Sequence, residues 1–171
     1  LLITSCKDAI ARMPCNPSIG GLAKSHLVYE LDALGGEMGI NADATALQSK
    51  ILNRSRGPAV WATRCQCAKL EYTTRMQRVI AAQQSLSVLE DAVISLIVTN
   101  DRIVGVNTHT HGQLFSKAVV ITSGTSLRGR IWIGKEATES GGDDRPAINQ
   151  LSESLESLGF TLIRLKTGTP P

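Results

Sequence analysis

The sequence lacks a long apolar run, the common hydrolase motifs and a strong charge of either sign. No stretch approaches the roughly 18 consecutive apolar residues that a membrane-spanning helix needs, so no membrane span is expected. The sequence contains no Ser-His-Asp set, HExxH pair or phosphate-binding P-loop. A net charge of +3 is too small to indicate nucleic-acid binding by itself.

The four cysteines include no CxxC pair, which is typical of reduced thiols in a cytosolic protein. Cys65 and Cys67 are predicted on a helix, where residues two apart do not share a face, so a metal pair is not expected. His109 and His111 alternate at a strand end, but no third ligand is evident and an exposed hairpin tip is favoured. The sequence therefore predicts no metal site.

What is present indicates a globular α/β protein. Hydrophobic residues make up 42% of the 171 residues and aromatic residues only 4%. The chain opens inside an apolar strand without an initiator Met, so we expect an internal segment of a longer protein. The predicted elements are strands at 1–4 and around 51–52, helices at 22–34 and 64–84, strands at 88–89, 92–99, 103–108, 114–115 and 118–122, a helix at 148–158 and a strand at 160–165. A loop is predicted at 14–21, Gly35-Gly36 is expected to close the first helix, and the repeat of Leu70, Met76, Val79 and Ile80 indicates the second. Asn100-Asp101 is the predicted turn between two strands, and Gly159 stands in the position of a helix C-cap.

The run from 13 to 36 is the most informative part of the chain. Cys15 and an Asn-Pro turn precede Gly20 and Gly21, and a helical pattern follows. Glycines let backbone approach a ligand, and the free N–H groups of a helix start favour an anion and a thiolate. These residue types indicate a ligand site, although a glycine-bounded loop that caps a helix explains them equally well.

Two further segments are candidates for ligand contact. Residues 53–58 form a basic loop, and its arginines, with Arg64, suit phosphate geometry because the guanidinium fork donates two parallel hydrogen bonds. The segment AVVITSGT, at 118–125, reads as a buried strand that ends in a small polar turn. The simpler alternatives are a solvated charged loop and an ordinary strand end.

Five blocks along the chain carry a resemblance to a known family. They are CNPSIGG, DALGG, NRSRGPAVWATR, SGTSLRGRIWIG and RLKTGTPP. In this order they resemble the MnmG (GidA) family, flavoproteins that modify the wobble uridine of certain tRNAs. The resemblance implies part of a Rossmann-like FAD-binding domain of the two-dinucleotide-binding type, with an inserted β meander. Residues 1–171 would be a partial FAD-binding domain without its first strand, its Gly-rich loop and the C-terminal NAD-binding and helical regions.

The resemblance also implies roles for individual residues. Cys15 matches a cysteine that acts near the flavin, as nucleophile or acid in the transfer of a one-carbon unit. Val93 falls where the family contacts the adenine side of FAD. The implied cofactor-binding residues are Asn16, Gly20, Gly21, Arg64, Val93, Thr122, Gly124 and Thr125. The implied nucleic-acid-binding residues are Lys24, Arg54 and Arg56, and cations of this loop could face either tRNA phosphates or the flavin pyrophosphate.

The implied reaction joins several partners. The family holds FAD, is reduced by NADH, takes its carbon from methylenetetrahydrofolate, and works as a homodimer with the MnmE GTPase on tRNA. The implied compartment is the cytoplasm, or the mitochondrion in a eukaryote. Two alternatives stay open: a folate/FAD-dependent tRNA (uracil-5-)-methyltransferase, and a non-catalytic flavoprotein remnant. The second rests on departures from the usual motifs at Ala68, Trp132 and Ala147.

Overall fold

The computed structural model describes residues 1–13, 16–142 and 145–166. Two compact units are present, one formed by residues 1–7 with 88–171 and the other by residues 8–87. We call the first the meander unit and the second the crossover unit. In chain order the elements are β1 (Leu2–Thr4), β2 (Ser18–Gly20), α1 (Ser25–Ala33), α2 (Glu37–Ala44), β3 (Ala46–Leu52), β4 (Ala62–Cys67), α3 (Lys69–Ala82), β5 (Val88–Glu90), β6 (Val93–Thr99), β7 (Arg102–Thr108), β8 (Gly112–Phe115), β9 (Arg130–Ile133), β10 (Glu136–Glu139) and α4 (Gln150–Ser157).

The crossover unit is built on a three-stranded antiparallel sheet of order β2-β4-β3. One face of β4 is buried through Cys65 and Cys67, because alternate strand residues point to the same face. Helices α2 and α3 supply the rest of the apolar core. Its buried members are Met13, Ala42, Cys65, Cys67 and Tyr72.

The predicted helix at 64–84 is wrong in its first five residues. Residues up to Cys67 belong to β4, and the helix runs only over Lys69–Ala82. The apolar repeat that indicates a helix begins at Leu70, whereas residues 62–67 pair with β3, and residues 64–66 pair with β2 as well. The distant strands β2 and β3, which the local pattern does not show, decide the conformation of this stretch. Consequently Cys65 and Cys67 do share a face, contrary to the helical prediction.

The predicted helix at 22–34 is confirmed over Ser25–Ala33, and a second helix, α2, follows it unpredicted. Most apolar side chains of α1 are exposed, among them Leu27, Leu31 and Leu34. The predicted loop before it contains the short strand β2. These differences arise because the Gly35-Gly36 break separates two helices where the sequence indicated a single stop.

The meander unit contains the antiparallel sheet β6-β7-β8 and a parallel pair, β1 with β5. The predicted turn at Asn100 and Asp101 is confirmed, and both residues have positive φ, as a two-residue hairpin turn requires. Helix α4 packs on β6, where Ser154 Oγ accepts a hydrogen bond from Leu96 N at 3.1 Å. The inserted meander that the sequence analysis anticipated is therefore present, and the α/β class is confirmed.

Two predicted strands of the meander unit are wrong. Residues 118–122 and 160–165 form no strand, and Val120 is 83% exposed. An apolar run becomes a strand only when a neighbouring backbone accepts its hydrogen bonds, and no described strand pairs with either segment. The hairpin of β9 and β10 was not predicted, because its four-residue strands carry polar and apolar residues without a clean alternation.

Candidate functional site

The loop before β2 is fixed by backbone hydrogen bonds. Ser18 N donates to Asn16 O at 2.8 Å, and Cys67 N donates to Pro17 O at 2.7 Å. Asn16 is exposed at this turn. Cys15, the predicted catalytic residue, lies outside the described residues, and of its two chain neighbours the structure describes only Asn16.

Gly20 and Gly21 both have positive φ, at 85° and 92°. Gly21 N donates to Thr63 O at 2.7 Å, and Gly21 O accepts from Ser25 N at 3.0 Å, which joins β4 to the start of α1. A Cβ at Gly20 would overlap the Thr63 carbonyl oxygen, whereas a Cβ at Gly21 would meet no atom within 4 Å. Gly20 is therefore required for packing, whereas Gly21 is buried but has no described atom in the place that a Cβ would take.

Two sets of cross-strand partners, which we call rungs, lie on one face of the crossover sheet and were not predicted from the sequence. Gly20, Arg64 and Lys50 are register partners across β2, β4 and β3, and Arg64 Nε donates to Ser18 Oγ at 3.2 Å. The neighbouring rung consists of Ser18, Gln66 and Gln48. Cross-strand partners lie on the same face, so Lys50 joins Arg64 on the side of the sheet opposite Cys65. Sequence reasoning missed Lys50 because β3 was recognised only around Ile51, and residues 46–52 show no alternation of apolar and polar residues that would indicate the longer strand.

Hydrogen bonds fix the conformation of the basic loop at 53–58. Arg54 and Arg56 are exposed in a single 3₁₀ turn that follows Asn53, whose φ is 59°. Arg56 N donates to Asn53 O at 2.9 Å, and Trp61 Nε1 donates to Arg54 O at 3.2 Å. Lys24, the third predicted nucleic-acid contact, is exposed at the start of α1. No salt bridge involves these three cations among the residues that the structure describes.

An open groove of about 340 Å³ lies along β3. It is lined by Ser49, Lys50, Ile51 and Arg54. Since β3 is an edge strand of the sheet, the groove adjoins backbone groups that no neighbouring strand pairs. The crossover unit thus brings Arg54 and Lys50 to one groove and Lys50 and Arg64 to one rung.

In the meander unit, the structure gathers three of the four predicted flavin contacts into one turn. Thr122 is exposed, Gly124 has φ 57° with no atom within 4 Å of the place that a Cβ would take, and Thr125 Oγ1 donates to Gly141 O at 2.9 Å. Val93 is the half-buried first residue of β6. The backbone at Gly124 is therefore open to a ligand, while the Thr125 hydroxyl already has a protein partner.

Cys65 and Cys67 form a buried thiol pair with their sulfurs 3.9 Å apart. Burial, together with the neighbouring Cys67, raises the pKa of Cys65 to about 11. A thiol with so high a pKa stays protonated at neutral pH and is a poor nucleophile. These cysteines therefore act as core residues.

Asp91 is a buried carboxylate that sequence reasoning missed. Its oxygens accept hydrogen bonds from the backbone N–H groups of Ala92, Thr110 and His111, and His111 Nδ1 lies 2.7 Å from Oδ2. Burial alone would raise the pKa of Asp91, but the bonds from His111 and the backbone outweigh it and hold the pKa well below its ordinary value. The arrangement closes the β7–β8 turn, which assigns His111 a structural partner and explains the paired histidines.

The described part of the chain shows neither a metal cluster nor a membrane span. Residues 1–13, 16–142 and 145–166 contain no group of three or more His, Cys, Asp or Glu side chains that could hold a metal ion. No helix in these ranges is long and apolar enough to cross a membrane.

Comparison with known proteins gives a consistent family. The model of the family GIDA, glucose inhibited division protein A, matches residues 1–171. The chain is 50% identical over 171 residues to the tRNA uridine 5-carboxymethylaminomethyl modification enzyme MnmG of Geobacillus kaustophilus, covering 100% of this chain and 27% of that protein. It is 48% identical over 163 residues to the MnmG of Caldicellulosiruptor saccharolyticus, covering 95% and 26%. The chain therefore spans about a quarter of the length of these relatives.

Comparison with solved structures gives matches to related proteins. Aquifex aeolicus GidA matches with a TM-score of 0.90 and 42% identity, covering 98% of this chain and 28% of that one. A GidA-related protein from Thermus thermophilus matches with a TM-score of 0.51 and 23% identity, covering 56% of this chain and 43% of that one, which shows a shared fold alone.

Proposed function

Because the chain belongs to the glucose inhibited division protein A family, we propose that it is part of an FAD-dependent enzyme that modifies the wobble uridine of tRNA. The observation that carries this proposal is 50% identity, across all 171 residues, to a relative named for that modification. The proposed reaction adds a carboxymethylaminomethyl or aminomethyl group at uridine C5. Residues 1–171 would form part of the FAD-binding domain, in keeping with the 27% of the relative that they cover.

The residues present fit a bound flavin best at Gly124, which is exposed and has no described atom within 4 Å of the space that a Cβ would occupy, so a cofactor can approach the backbone closely there. Gly21 also has no described atom in that space, but it is itself buried, and the missing side chain of Gly20 makes room for Thr63. We propose Gly124 as the principal backbone contact. The other proposed flavin contacts are Asn16, Gly21, Val93, Thr122 and Thr125, with Gly20 in a supporting role.

The proposed reaction assigns different tasks to the cofactor and to the residues of the protein. FAD, when bound, would supply hydride transfer, and the protein would bind and orient the reactants. Cys15, directly before Asn16 in the chain, is the proposed nucleophile or acid, a task that suits a thiol. The buried Cys65 is excluded from that task by its raised pKa of about 11.

The proposed partners follow the family resemblance. They are tRNA, NADH, methylenetetrahydrofolate, an MnmE-like GTPase and a second copy of the protein. On this chain, Lys24, Arg54 and Arg56 are the proposed tRNA contacts, since each is an exposed cation and none forms a salt bridge with a described residue. Arg64 suits a phosphate of either the flavin or the tRNA.

The test uses the full-length protein that carries this segment. Its visible absorption spectrum should show oxidised flavin that is bleached by NADH, and nucleosides from treated tRNA should contain the modified uridine by mass spectrometry. Cys15→Ser should lower modification at least about 100-fold while flavin is retained. The matched control is Cys6→Ser, which should leave modification unchanged.

Other outcomes would overturn the proposal. Formation of 5-methyluridine instead of the longer side chain would favour the methyltransferase alternative. A folded protein that stays colourless with added FAD, and leaves tRNA unmodified, would favour the non-catalytic remnant.

A further inference from the structure

We propose that Lys50 and Arg64, together with Arg54, form a docking surface for the phosphate backbone of RNA on the face of the β2-β4-β3 sheet opposite Cys65. The inference rests on the proposed function, because it assumes a tRNA substrate. It goes beyond that function by adding Lys50 and by assigning Arg64 to the RNA rather than to the flavin.

The register places the two cations side by side. Lys50 of β3 is the direct partner of Arg64 of β4, and Arg64 is in turn the partner of Gly20 of β2. Partners across a sheet project from the same face, with Cβ atoms about 5 Å apart. Gly20, the third member of this set, adds no side chain to the face, and the place that its Cβ would take is filled by the Thr63 carbonyl oxygen.

The pair carries an energetic cost that the described residues do not offset. Like charges directly opposite each other on neighbouring strands destabilise a sheet. Lys50 forms no salt bridge with a described residue, and Arg64 donates to the neutral Ser18 hydroxyl rather than to an acid. A local arrangement that costs stability without compensation in the fold is where a bound ligand is expected.

Two other arginines of the chain, Arg75 and Arg128, have carboxylate partners within the protein. Arg75 pairs with Glu37 on α2, and Arg128 makes two hydrogen bonds to Glu156 at 2.7 and 2.6 Å. Their carboxylate partners satisfy the guanidinium within the protein. Arg64 differs from them, because the face on which it lies carries Ser18, Gln48, Lys50 and Gln66 rather than acids.

The surface continues from this rung onto the edge of the sheet. Lys50 and Arg54 line the same open groove of about 340 Å³ along β3. The bond from Trp61 Nε1 to the Arg54 carbonyl holds that part of the loop in place. Three cations therefore follow one another from β4 across β3 to the loop.

The shape of this surface selects a polyanion over a small ligand. Small-molecule sites enclose most of their ligand in a concave pocket, whereas this groove is open and its charges are spread along it. Successive phosphates of a nucleic-acid strand match a row of separated cations, and each phosphate neutralised releases counterions. Ser18, Gln48 and Gln66 add hydrogen-bonding groups beside the row.

The test measures tRNA binding by fluorescence anisotropy with the full-length protein over a range of salt concentrations. Lys50→Gln and Arg64→Gln should each weaken binding roughly fivefold to tenfold at moderate salt, and should reduce the slope of log affinity against log salt by about 0.7 to 0.9. Lys50→Arg should keep the affinity. Lys135→Gln, at an exposed lysine of the β9–β10 turn, is the matched control and should change neither quantity.

Lys50→Glu separates binding from stability. It places an acid opposite Arg64, so the melting temperature should equal or exceed that of the parent, while tRNA affinity should fall further than in Lys50→Gln. If Lys50 had only a structural role, the melting temperature and the tRNA affinity would fall together or would both stay unchanged.

The outcomes distinguish this inference from the proposed function. A parent protein that binds no tRNA overturns both. A parent that binds tRNA, with equal affinity and salt slope in the variants at positions 50 and 64, overturns only the docking surface. Loss of flavin absorbance in Arg64→Gln with unchanged tRNA affinity assigns Arg64 to the cofactor and also overturns it.

Discussion

The crossover unit and the meander unit differ in the partners of particular charged residues. The crossover unit contains an apolar cluster around Cys67 and Tyr72 and the ion pair of Arg75 with Glu37, but its cations at Lys50 and Arg64 have no described acidic partner. In the meander unit, the buried Asp91 and the arginine Arg128 are both engaged by other groups of the protein.

This difference separates residues that hold the fold from residues that are available to a ligand. Where apolar burial supplies the stability, a charged sheet face can stay free for binding, since the fold does not depend on it. Where hydrogen bonds and ion pairs close turns and fix a helix, the charged residues already have protein partners and are not available to a ligand. Unpaired cations in a well-packed unit are therefore better candidates for phosphate contact than paired ones.

The largest effect is expected from truncating the apolar cluster. Tyr72 is 4% exposed, so Tyr72→Ala should lower the unfolding free energy by about 3 to 5 kcal/mol through lost burial and a cavity. Hydrogen exchange should show lost protection in α2, β4 and α3, with β6 and β7 still protected. Leu70→Ala, at a side chain that is 79% exposed on the same helix, is the control and should cost less than about 0.5 kcal/mol. Equal loss of protection in both units would break the comparison.

The glycine pair gives the next largest effect. Gly20→Ala places a Cβ against the Thr63 carbonyl and also strains a positive φ, so we expect a loss of roughly 2 to 4 kcal/mol. Gly21→Ala strains only the backbone and should cost about 1 kcal/mol. Urea unfolding measures both. Equal costs for the two substitutions would mean that a Cβ at the buried Gly21 also meets packed atoms.

The meander unit should be the more sensitive to acid at Asp91. A carboxylate whose folded pKa is depressed stabilises the protein above its unfolded pKa of about 3.9, and that contribution is lost as the pH falls from there through the folded pKa. Asp91→Asn should therefore lower the melting temperature at pH 7, with the difference from the parent shrinking below about pH 4. Asp101→Asn, at an exposed turn position, is the control. A difference independent of pH would contradict the ionised Asp91.

The crossover unit should instead lose stability in alkali. Because the folded pKa of Cys65 is raised to about 11, its protonated form is favoured by folding, and that contribution is lost as the pH rises from about 9 through about 11. Alkylation at pH 8 should modify Cys6 well before Cys65 and Cys67, which are buried. Mass spectrometry of the alkylated protein checks this order, and early labelling of Cys65 would show that the cluster opens.

The smallest effect is expected at the surface. Arg128 and Glu156 are partly exposed, and ion pairs of this kind contribute little because solvent screens them. Arg128→Gln should leave the melting temperature nearly unchanged, and raising the salt concentration should affect the parent and the variant alike. A marked fall in the melting temperature of Arg128→Gln would mean that ion pairs, and not only buried hydrogen bonds, stabilise the meander unit.

Local signals predicted the elements that depend on local interactions. The repeat of Met76, Val79 and Ile80 indicated α3, and Asn100 with Asp101 indicated the hairpin turn between β6 and β7. Gly159 was expected to end α4 and does follow it, with φ 91°. In each case the deciding interactions lie within a few residues along the chain.

Elements that depend on distant partners were not predictable in this way. Residues 62–67 are a strand because β2 and β3 pair with them, and residues 118–122 are not one because no described strand does. The residues of the candidate site also fall into those that local sequence indicated and those that only strand pairing identified. Arg54 and Arg56 were evident as a basic loop, whereas Lys50 became a candidate only when its register with Arg64 was known.

By itself, the sequence determined the family, the α/β class and the residue types offered to a phosphate or a flavin, because these are carried by ordered blocks of residues and by local periodicity. The tertiary structure alone decided that Gly20 is needed for packing, that the backbone at Gly124 is exposed, and that Cys65 and Cys67 are buried. It also decided which cations stand together without an acidic partner. These properties are set by strand register and burial, and they join residues far apart in the chain whose contacts no local pattern encodes.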